Sequence, residues 1–334
     1  MRLRKKYFTV DDSGAIRANN PKGWNKHYQK AVEDYLTLWD ELFKKAQEKD
    51  EFQFILALLR FKGVESAGWD FFDNTIEAVK GSLIAAKKAR GDRKLNIMLW
   101  TYGHIVEAAD HYEIIANMVN VAGGDPYKAW NFPRIRTRRG MRDQTPNEKI
   151  IEIKRRCDAL GFKDYSAPFY EVLDKELRNA IYHSDYSAHY GMARFRNSST
   201  GLAVEYDTKR TNKILNQSLA LHETIKNLSK SYQASYVEPK IIDAGPHFTR
   251  GAPMKIQLIV RRVTGVIAMY EVPTHSGSVM LGRFVPGEQE KINRGVFLLP
   301  RSSTERVNEI LDHLPRPVAK LILKIYNKFN LDIS

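Results

Sequence analysis

The sequence predicts a mainly α-helical protein with a smaller α+β region at its C-terminal end. Apolar residues recur at helical spacing over the first two-thirds of the chain, starting near Trp24. After Glu238, a stretch rich in Gly and Pro is followed by short runs of alternating apolar and polar residues. These observations predict three parts: a basic N-terminal arm (1–23), a helical domain (24–237) and a small α+β domain (250–334).

Helical periodicity, interrupted by Gly and Pro, divides the helical domain into segments. Thr145 and Pro146 mark one helix start, because Pro is favoured at the first helical position. The predicted segments are helices at 24–49, 93–122, 145–161, 168–184 and 208–233, two helices or one kinked helix at 51–90, an irregular basic loop at 127–145, and a β-hairpin at 189–207. After a linker (238–253), strands are predicted near 255–262, 265–272, 278–285 and 295–299, followed by two helices.

Composition limits the partners and the compartment. The 334-residue chain carries a formal net charge of +14, which favours an anionic partner, most often nucleic acid; a basic protein without such a partner is the alternative. Cys157 is the only cysteine, so no intramolecular disulfide can form and a reducing, cytoplasmic compartment is expected. No apolar segment follows the basic N-terminus, and the longest apolar stretch (52–61) is too short to span a bilayer. We therefore expect no membrane association.

Residues 177–184 read Leu-Arg-Asn-Ala-Ile-Tyr-His-Ser and give the strongest functional signal. Arg178, Asn179 and His183 place a permanent cation, an amide and an imidazole on an otherwise apolar segment. On a helix Asn179 and His183 share a face, while Arg178 is offset by about 100° from Asn179. An RNA phosphodiester matches these groups, because Arg binds phosphate through paired N–H groups and His transfers protons near neutral pH.

A structural interpretation of the same residues stays open. Asp174 and Arg178 are four apart and would form an ordinary surface ion pair, with His183 capping the helix C-terminus. The residues alone do not choose between the two interpretations. The apolar stripe that would face the core is Phe169, Leu173, Leu177 and Ile181.

Arg-Asn-x-x-x-His at the end of an apolar helix, followed by Ser-Asp-Tyr and a predicted hairpin, resembles the motif of the HEPN superfamily (higher eukaryotes and prokaryotes nucleotide-binding). The resemblance extends over residues 24–235. It implies an HEPN-like helical bundle with a β-hairpin insertion. Many HEPN proteins are metal-independent ribonucleases of toxin–antitoxin, phage-defence and CRISPR-associated systems, so the resemblance implies that activity here.

The resemblance also assigns roles to residues. It implies that Arg178 and His183 carry out the reaction, with Asn179 in support, in a site formed across a homodimer interface. Some HEPN toxins have a Tyr two residues after the His. This chain has Asp185 at that position and Tyr186 next, so any regulation through that Tyr is not carried over.

The predicted helix at 93–122 supplies a fourth candidate. HEPN proteins often carry an acidic residue on a neighbouring helix that orients the motif Arg. The resemblance makes Glu107 the candidate for this role, with Asp110 as the alternative. His104, Glu107 and His111 are spaced to share one helix face. Two alternatives stay open: a zinc site on these three side chains, although the His-Glu-x-x-His arrangement is missing, and a plain solvated face. We expect no metal and no cofactor.

The basic loop is the second strong feature. Five arginines fall within nine residues and no acid lies among them, an arrangement that is repulsive unless an anion is present. Trp130 and Phe132 precede the run, and aromatic rings stack on unpaired bases. We expect an RNA-guiding surface, although a mobile solvated loop or a docking site for an acidic protein would have the same composition. The arginines are Arg134, Arg136, Arg138, Arg139 and Arg142.

Together these features predict an endoribonuclease that leaves 2′,3′-cyclic phosphate and 5′-OH ends. His183 would move protons at the 2′-OH or the leaving 5′-oxygen, and Arg178 would stabilise charge on the phosphorane. One imidazole does not readily act as acid and base at once, so a homodimer is expected. The alternatives are a non-catalytic RNA-binding or regulatory HEPN protein, or one controlled by an antitoxin or another defence-system protein docked on the C-terminal region.

Overall fold

The computed structural model describes residues 8–10, 16–18, 26–60, 71–138, 140–244, 254–261, 264–271 and 280–282. The protein is mainly helical with small antiparallel sheets, as the sequence predicts. Most of the N-terminal arm, the predicted strand at 295–299, the two C-terminal helices and Arg139 lie outside the described residues. None of the helices in these ranges is long and apolar enough to cross a membrane.

The helices are α1 (Lys26–Lys49), α2 (Glu51–Leu59), α3 (Phe71–Lys88), α4 (Gly91–Glu107), α5 (Ala109–Gly123), α6 (Pro146–Ala159), α7 (Ala167–Val172), α8 (Lys175–Tyr182) and α9 (Thr208–Ser235). Two hairpins pair β1 (Phe8–Val10) with β2 (Ile16–Ala18) and β3 (Ile135–Thr137) with β4 (Gly140–Arg142). A three-stranded sheet holds β5 (Tyr186–His189), β6 (Met192–Arg196) and β7 (Ala203–Tyr206). A four-stranded sheet, ordered β11-β10-β9-β8, holds β8 (Ile241–Ala244), β9 (Met254–Arg261), β10 (Gly265–Glu271) and β11 (Met280–Gly282).

Several secondary-structure elements were predicted correctly from residues close together in the sequence. The Thr145 hydroxyl accepts from the Glu148 N–H, and the Glu148 carboxylate accepts from the Thr145 N–H, with Pro146 at the first helical position of α6. The described part of 51–90 forms two helices, α2 and α3. The predicted hairpin at 189–207 is present as β6 and β7, and β5 adds a third strand to it.

Four predictions of local structure are wrong. The helix predicted at 93–122 is broken at Ala108, and the one predicted at 168–184 is broken between α7 and α8. The basic loop at 127–145 contains the β3–β4 hairpin, and the linker at 238–253 contains β8. The two helix breaks and β8 depend on contacts with distant parts of the chain, which local composition does not report, whereas β3 and β4 pair locally.

The core of the helical domain is aromatic and is centred on α1. Trp39 is fully buried, and its indole N–H donates to the Tyr165 carbonyl at 3.0 Å. Its ring lies 5.5 Å from that of Phe169 in α7. The Tyr232 hydroxyl of α9 donates to Asp40 of α1 at 2.8 Å, which satisfies both polar groups as the two helices pack. These contacts fix α7, and therefore the chain that enters α8, against α1.

The C-terminal sheet packs against the helical domain. Ile242, Leu258 and Met269 are buried in the same hydrophobic cluster as the helices. Lys240 also binds Glu51 at the start of α2. The closest approach is at Gly265, whose backbone meets the C-terminal end of α9.

We predict that Gly265→Ala destabilises the protein more than Gly201→Ala does. Both glycines have positive φ, +76° and +72°, so each substitution costs on the order of 1–2 kcal/mol in backbone strain. A Cβ at Gly265 would in addition overlap the Gln233 carbonyl oxygen, whereas no described residue lies within 4 Å of a Cβ at Gly201. The free energy of unfolding from urea titrations of both variants measures the difference. Equal losses would contradict the packing of β10 on α9.

Candidate functional site

The N-terminus of α8 is fixed by Asp174. Its carboxylate accepts from the Leu177 N–H at 3.0 Å and from the Tyr206 hydroxyl at 2.6 Å. The same carboxylate lies 3.5 Å from Arg210. The surface ion pair between Asp174 and Arg178 that the structural interpretation required is therefore not formed, because Asp174 caps the helix and binds α9 instead.

The C-terminus of α8 ends at His183 in a Schellman motif. The Asp185 N–H donates to the Ala180 carbonyl at 2.8 Å, and the Ser184 N–H donates to the Ile181 carbonyl at 3.2 Å. Ser184 adopts the left-handed conformation that this motif requires, with φ 58°. His183 occupies the C-cap position and its side chain is exposed. The motif therefore presents the imidazole at the surface on a fixed backbone.

Helix α8 packs closely on α4 because Gly103 lies at the contact. A Cβ at Gly103 would lie 3.1 Å from Ile181 and 3.5 Å from the Tyr182 ring. The buried Tyr102 hydroxyl, one residue earlier, accepts from the Asp174 N–H at 2.9 Å and lies 3.2 Å from the Val172 carbonyl. Tyr102 thus satisfies the backbone groups that the break between α7 and α8 leaves without helical partners. Neither Gly103 nor Tyr102 was predicted from the sequence.

Arg178 is held on three sides. Its Nε and Nη2 atoms contact the Glu107 carboxylate at the end of α4, and its Nη1 donates to Asn179 Oδ1 at 2.8 Å. Its guanidinium carbon lies 5.3 Å from the centre of the Tyr182 ring. The side chains of Arg178 and Glu107 keep about a quarter of their surface exposed, 25% and 27%. The structure therefore brings together Arg178, Asn179 and Glu107, which the sequence placed on two separate helices.

The break at Ala108 orients Glu107. Breaking the helix leaves the Ile105 carbonyl with only the Ala108 N–H, at 3.3 Å, and the Val106 carbonyl without its usual N–H partner. Two side chains of α5 bond these carbonyls. His111 Nδ1 lies 3.1 Å from the Ile105 oxygen, and the Tyr112 hydroxyl donates to the Val106 oxygen at 2.7 Å. These four residues are buried, so the side-chain hydrogen bonds keep the two buried carbonyls from lacking a partner.

The prediction that His104, Glu107 and His111 share a helix face is wrong. The break separates them: His104 is exposed, Glu107 contacts Arg178, and His111 is fully buried against His222 of α9 at 3.1 Å. The zinc alternative depended on that shared face. Within the described residues, no group of three or more His, Cys, Asp or Glu side chains is placed to hold a metal ion.

The surroundings of the pair keep nearby phenols neutral. Burial raises the pKa of Tyr182, with Glu107 adding to the rise and Arg178 opposing it. Burial also raises the pKa of Tyr112, again with a contribution from Glu107. Burial lowers the pKa of Lys149, whose ammonium lies over the Tyr112 ring at 5.7 Å. The site thus offers one permanent cation, one carboxylate and uncharged aromatic rings.

Some arginines of the basic hairpin β3–β4 have acidic partners that the sequence did not indicate. Arg142 forms a two-pronged ion pair with Glu148 at 2.6 and 2.7 Å, and Arg134 lies 3.3 Å from Asp143. The expectation that the arginines require an external anion is therefore wrong for these two. Arg136 and Arg138 are exposed, and in the described part of the chain neither forms a hydrogen bond or ion pair.

Arg156, near the end of α6, is a structural residue. It donates to the Asn131 side-chain oxygen at 2.7 Å and to the Asn131 carbonyl at 2.9 Å. It also pairs with Glu152 at 2.9 Å. Phe132 lies under its guanidinium at 5.7 Å and is half buried, so Phe132 is a packing residue, whereas Trp130 is exposed.

No protein-family model, curated protein or solved structure matches this chain. Function is therefore inferred from the geometry of the site and from the motif.

We predict that acid destabilises the fold through His111 and His222. A carbonyl only accepts, so His111 Nδ1 carries the proton and its Nε2 accepts from His222 Nδ1–H. Burial lowers the pKa of His111 from 6.5 to about 4, and it lowers that of His222 as well. Between pH 6.5 and 4 the unfolded chain binds protons that the folded one does not. The free energy of unfolding therefore falls as the pH falls, by on the order of 3 kcal/mol for His111.

Urea titrations from pH 7 to 4 measure this loss. His222→Gln keeps a hydrogen-bonding group and removes one titrating side chain, so its unfolding free energy should depend less on pH. His104→Gln, at an exposed position of α4, should follow the parent protein. Parallel curves for His222→Gln and the parent protein would contradict this account.

Proposed function

We propose that this protein is a metal-independent endoribonuclease of the HEPN type. The observation that carries the proposal is the placement of Arg178, held by Glu107 and Asn179, on the same short helix that ends at exposed His183. The motif resemblance supplies the reaction class. The contact between Glu107 and Arg178 is the one that the resemblance expected from an acidic residue on a neighbouring helix.

Arg178 would bind and stabilise the phosphate. A guanidinium has five N–H groups. Glu107 faces Nε and Nη2, and Asn179 takes one N–H of Nη1. One N–H on each terminal nitrogen is then left for two oxygens of a phosphate. Because the Arg178 guanidinium is held in place before substrate binds, less entropy is lost in orienting it. Its positive charge then stabilises the negative charge that develops on the phosphorane.

His183 would move the protons. The 2′-OH attacks the adjacent phosphorus as its proton leaves, the bond to the 5′-oxygen breaks, and that oxygen takes up a proton. The products are a 2′,3′-cyclic phosphate and a 5′-OH. DNA lacks the attacking hydroxyl and should resist cleavage.

A homodimer accounts for the orientation of the two groups. Residues five apart on a helix are rotated by about 140°, so Arg178 and His183 of one chain leave α8 in different directions. Two chains related by a two-fold axis would supply two imidazoles, one as base and one as acid. The biological setting that the resemblance favours is phage defence or a toxin–antitoxin system, with an antitoxin or another defence protein as regulator.

One observation favours a second candidate, a non-catalytic RNA-binding or regulatory HEPN protein. Arg178 is already ion-paired with Glu107, which offsets part of the positive charge that a transition state would use. Such a protein would bind RNA in a salt-dependent way and release no products. Incubation with single-stranded RNA separates the two candidates directly.

We predict that the purified protein cleaves single-stranded RNA in excess EDTA and that His183→Ala lowers the rate by about 10²–10⁴-fold, the usual contribution of a general acid or base. Gel analysis of an end-labelled RNA measures the rate. His189→Ala is the matched control, because His189 is also exposed and lies on the adjacent strand β5. Equal cleavage by His183→Ala and the parent protein would rule out the assignment.

The β3–β4 hairpin would guide RNA to the site. Arg136 and Arg138 are its exposed arginines without described partners, whereas Arg134 and Arg142 are neutralised internally. Arg139, the fifth arginine of the predicted RNA-guiding surface, lies outside the described residues. Phosphate contacts made by exposed arginines release counterions and therefore weaken with salt.

We predict that replacing both Arg136 and Arg138 by Gln lowers the salt dependence of RNA binding. Each lost phosphate contact should reduce the slope of log affinity against log salt by about 0.7 for a single strand. Fluorescence anisotropy with a 2′-O-methylated oligonucleotide measures affinity without cleavage. Arg155→Gln is the control, since Arg155 is exposed but bound to Glu152 at 2.9 Å. An unchanged slope in the double variant would exclude this hairpin from the RNA path.

A further inference from the structure

Two exposed aromatic rings lie beside Arg178. Trp100 of α4 is 49% exposed and Tyr182 of α8 is 43% exposed. Their ring centres are 6.4 Å apart and their planes meet at 72°. Buried aromatics need no explanation beyond the core, but large rings that stay in water beside a charged site indicate a binding surface.

Trp100 is held in a fixed position. It lies on the same face of α4 as Gly103 and Glu107, three and seven residues later, and this is the face that α8 packs against. Its side chain also lies near Tyr186 of β5, where it partly offsets the rise that burial causes in the pKa of Tyr186. A ring fixed from two sides loses little conformational freedom when a ligand stacks on it.

Tyr182 connects this ring to the phosphate-binding group. Its ring contacts Trp100 on one side and the Arg178 guanidinium, at 5.3 Å, on another. Trp100, Tyr182 and Arg178 therefore lie side by side, with an apolar ring at one end and a cation at the other. A nucleotide carries the same two chemistries, a flat base and a phosphate, side by side.

We propose that Trp100 and Tyr182 form a base-stacking subsite for single-stranded RNA whose phosphate is bound by Arg178. The inference rests on the proposed function, and it adds a requirement for an unpaired base next to the cleaved linkage. Trp, Tyr and Arg are also enriched at protein interfaces, so a second protein chain is the alternative occupant. The paired aromatic ring and phosphate-binding cation favour RNA, and sedimentation of the Trp100 variant separates the two occupants.

The test measures binding of a 2′-O-methylated single-stranded oligonucleotide, which cannot be cleaved. Stacking on an aromatic side chain accounts for about a five- to hundredfold change in affinity per base. Trp100→Leu should weaken binding by that amount, and Trp100→Phe should keep most of it. Tyr170→Leu is the control, since Tyr170 is 42% exposed on α7 and lies outside the site.

A strand of the same length without bases separates stacking from phosphate binding. Trp100→Leu and the parent protein should bind this abasic strand equally. The subsite would be overturned if Trp100→Leu and the parent protein bound the intact strand equally, or if Trp100→Leu lost the same affinity for the intact and the abasic strand. A change from dimer to monomer in Trp100→Leu by sedimentation would also overturn it and would make the rings a protein interface. Trp100-dependent binding without any cleavage by the parent protein would keep the subsite and remove the nuclease proposal.

Discussion

The ion pair between Glu107 and Arg178 is the interaction on which the rest of the site depends. It joins the last residue of α4 to the middle of α8, and both ends are fixed by backbone features next to them. Ala108 ends α4 so that Glu107 is directed towards α8, and Gly103 lets the two helices approach closely. A longer α4 or a larger residue at 103 would separate the two charges. The pair is therefore a product of the packing of these helices and not of their surface charge.

Ion pairs elsewhere in the protein determine how much of its positive charge is left unpaired. A formal net charge of +14 indicated an anionic partner, yet many of the cations are bound within the protein. Arg134, Arg142 and Arg156 each have an acidic partner, so only some of the arginines in the basic hairpin are left without one among the described residues. Arg178 differs from them because its N–H groups are divided between Glu107, Asn179 and open surface. Net charge alone therefore overstates the size of the surface proposed to bind RNA, and the location of unpaired N–H groups defines that surface better.

The sequence predicted those features that short-range chemistry determines. The helix start at Thr145 and Pro146, the hairpin at 189–207 and the positions of most helices follow from residues close to one another in the chain. The break at Ala108 could not be predicted, because no Gly or Pro lies beside it and because His111, which bonds the Ile105 carbonyl, is itself held by His222, 111 residues away. The partner of Arg178 was found through the motif resemblance, whereas periodicity wrongly grouped Glu107 with two histidines. Trp100 was missed because an aromatic at helical spacing normally indicates core.

The central claim is that RNA supplies its own nucleophile while Arg178 and His183 stabilise charge and move protons. The chemical identity of the cleaved ends tests this most directly, because it reports which oxygen attacked. Products made in excess EDTA should carry 2′,3′-cyclic phosphates and 5′-hydroxyls, detected by selective ligation and by labelling with polynucleotide kinase. Ends with 3′-hydroxyls and 5′-phosphates would mean that water or another nucleophile attacked, and would contradict the account.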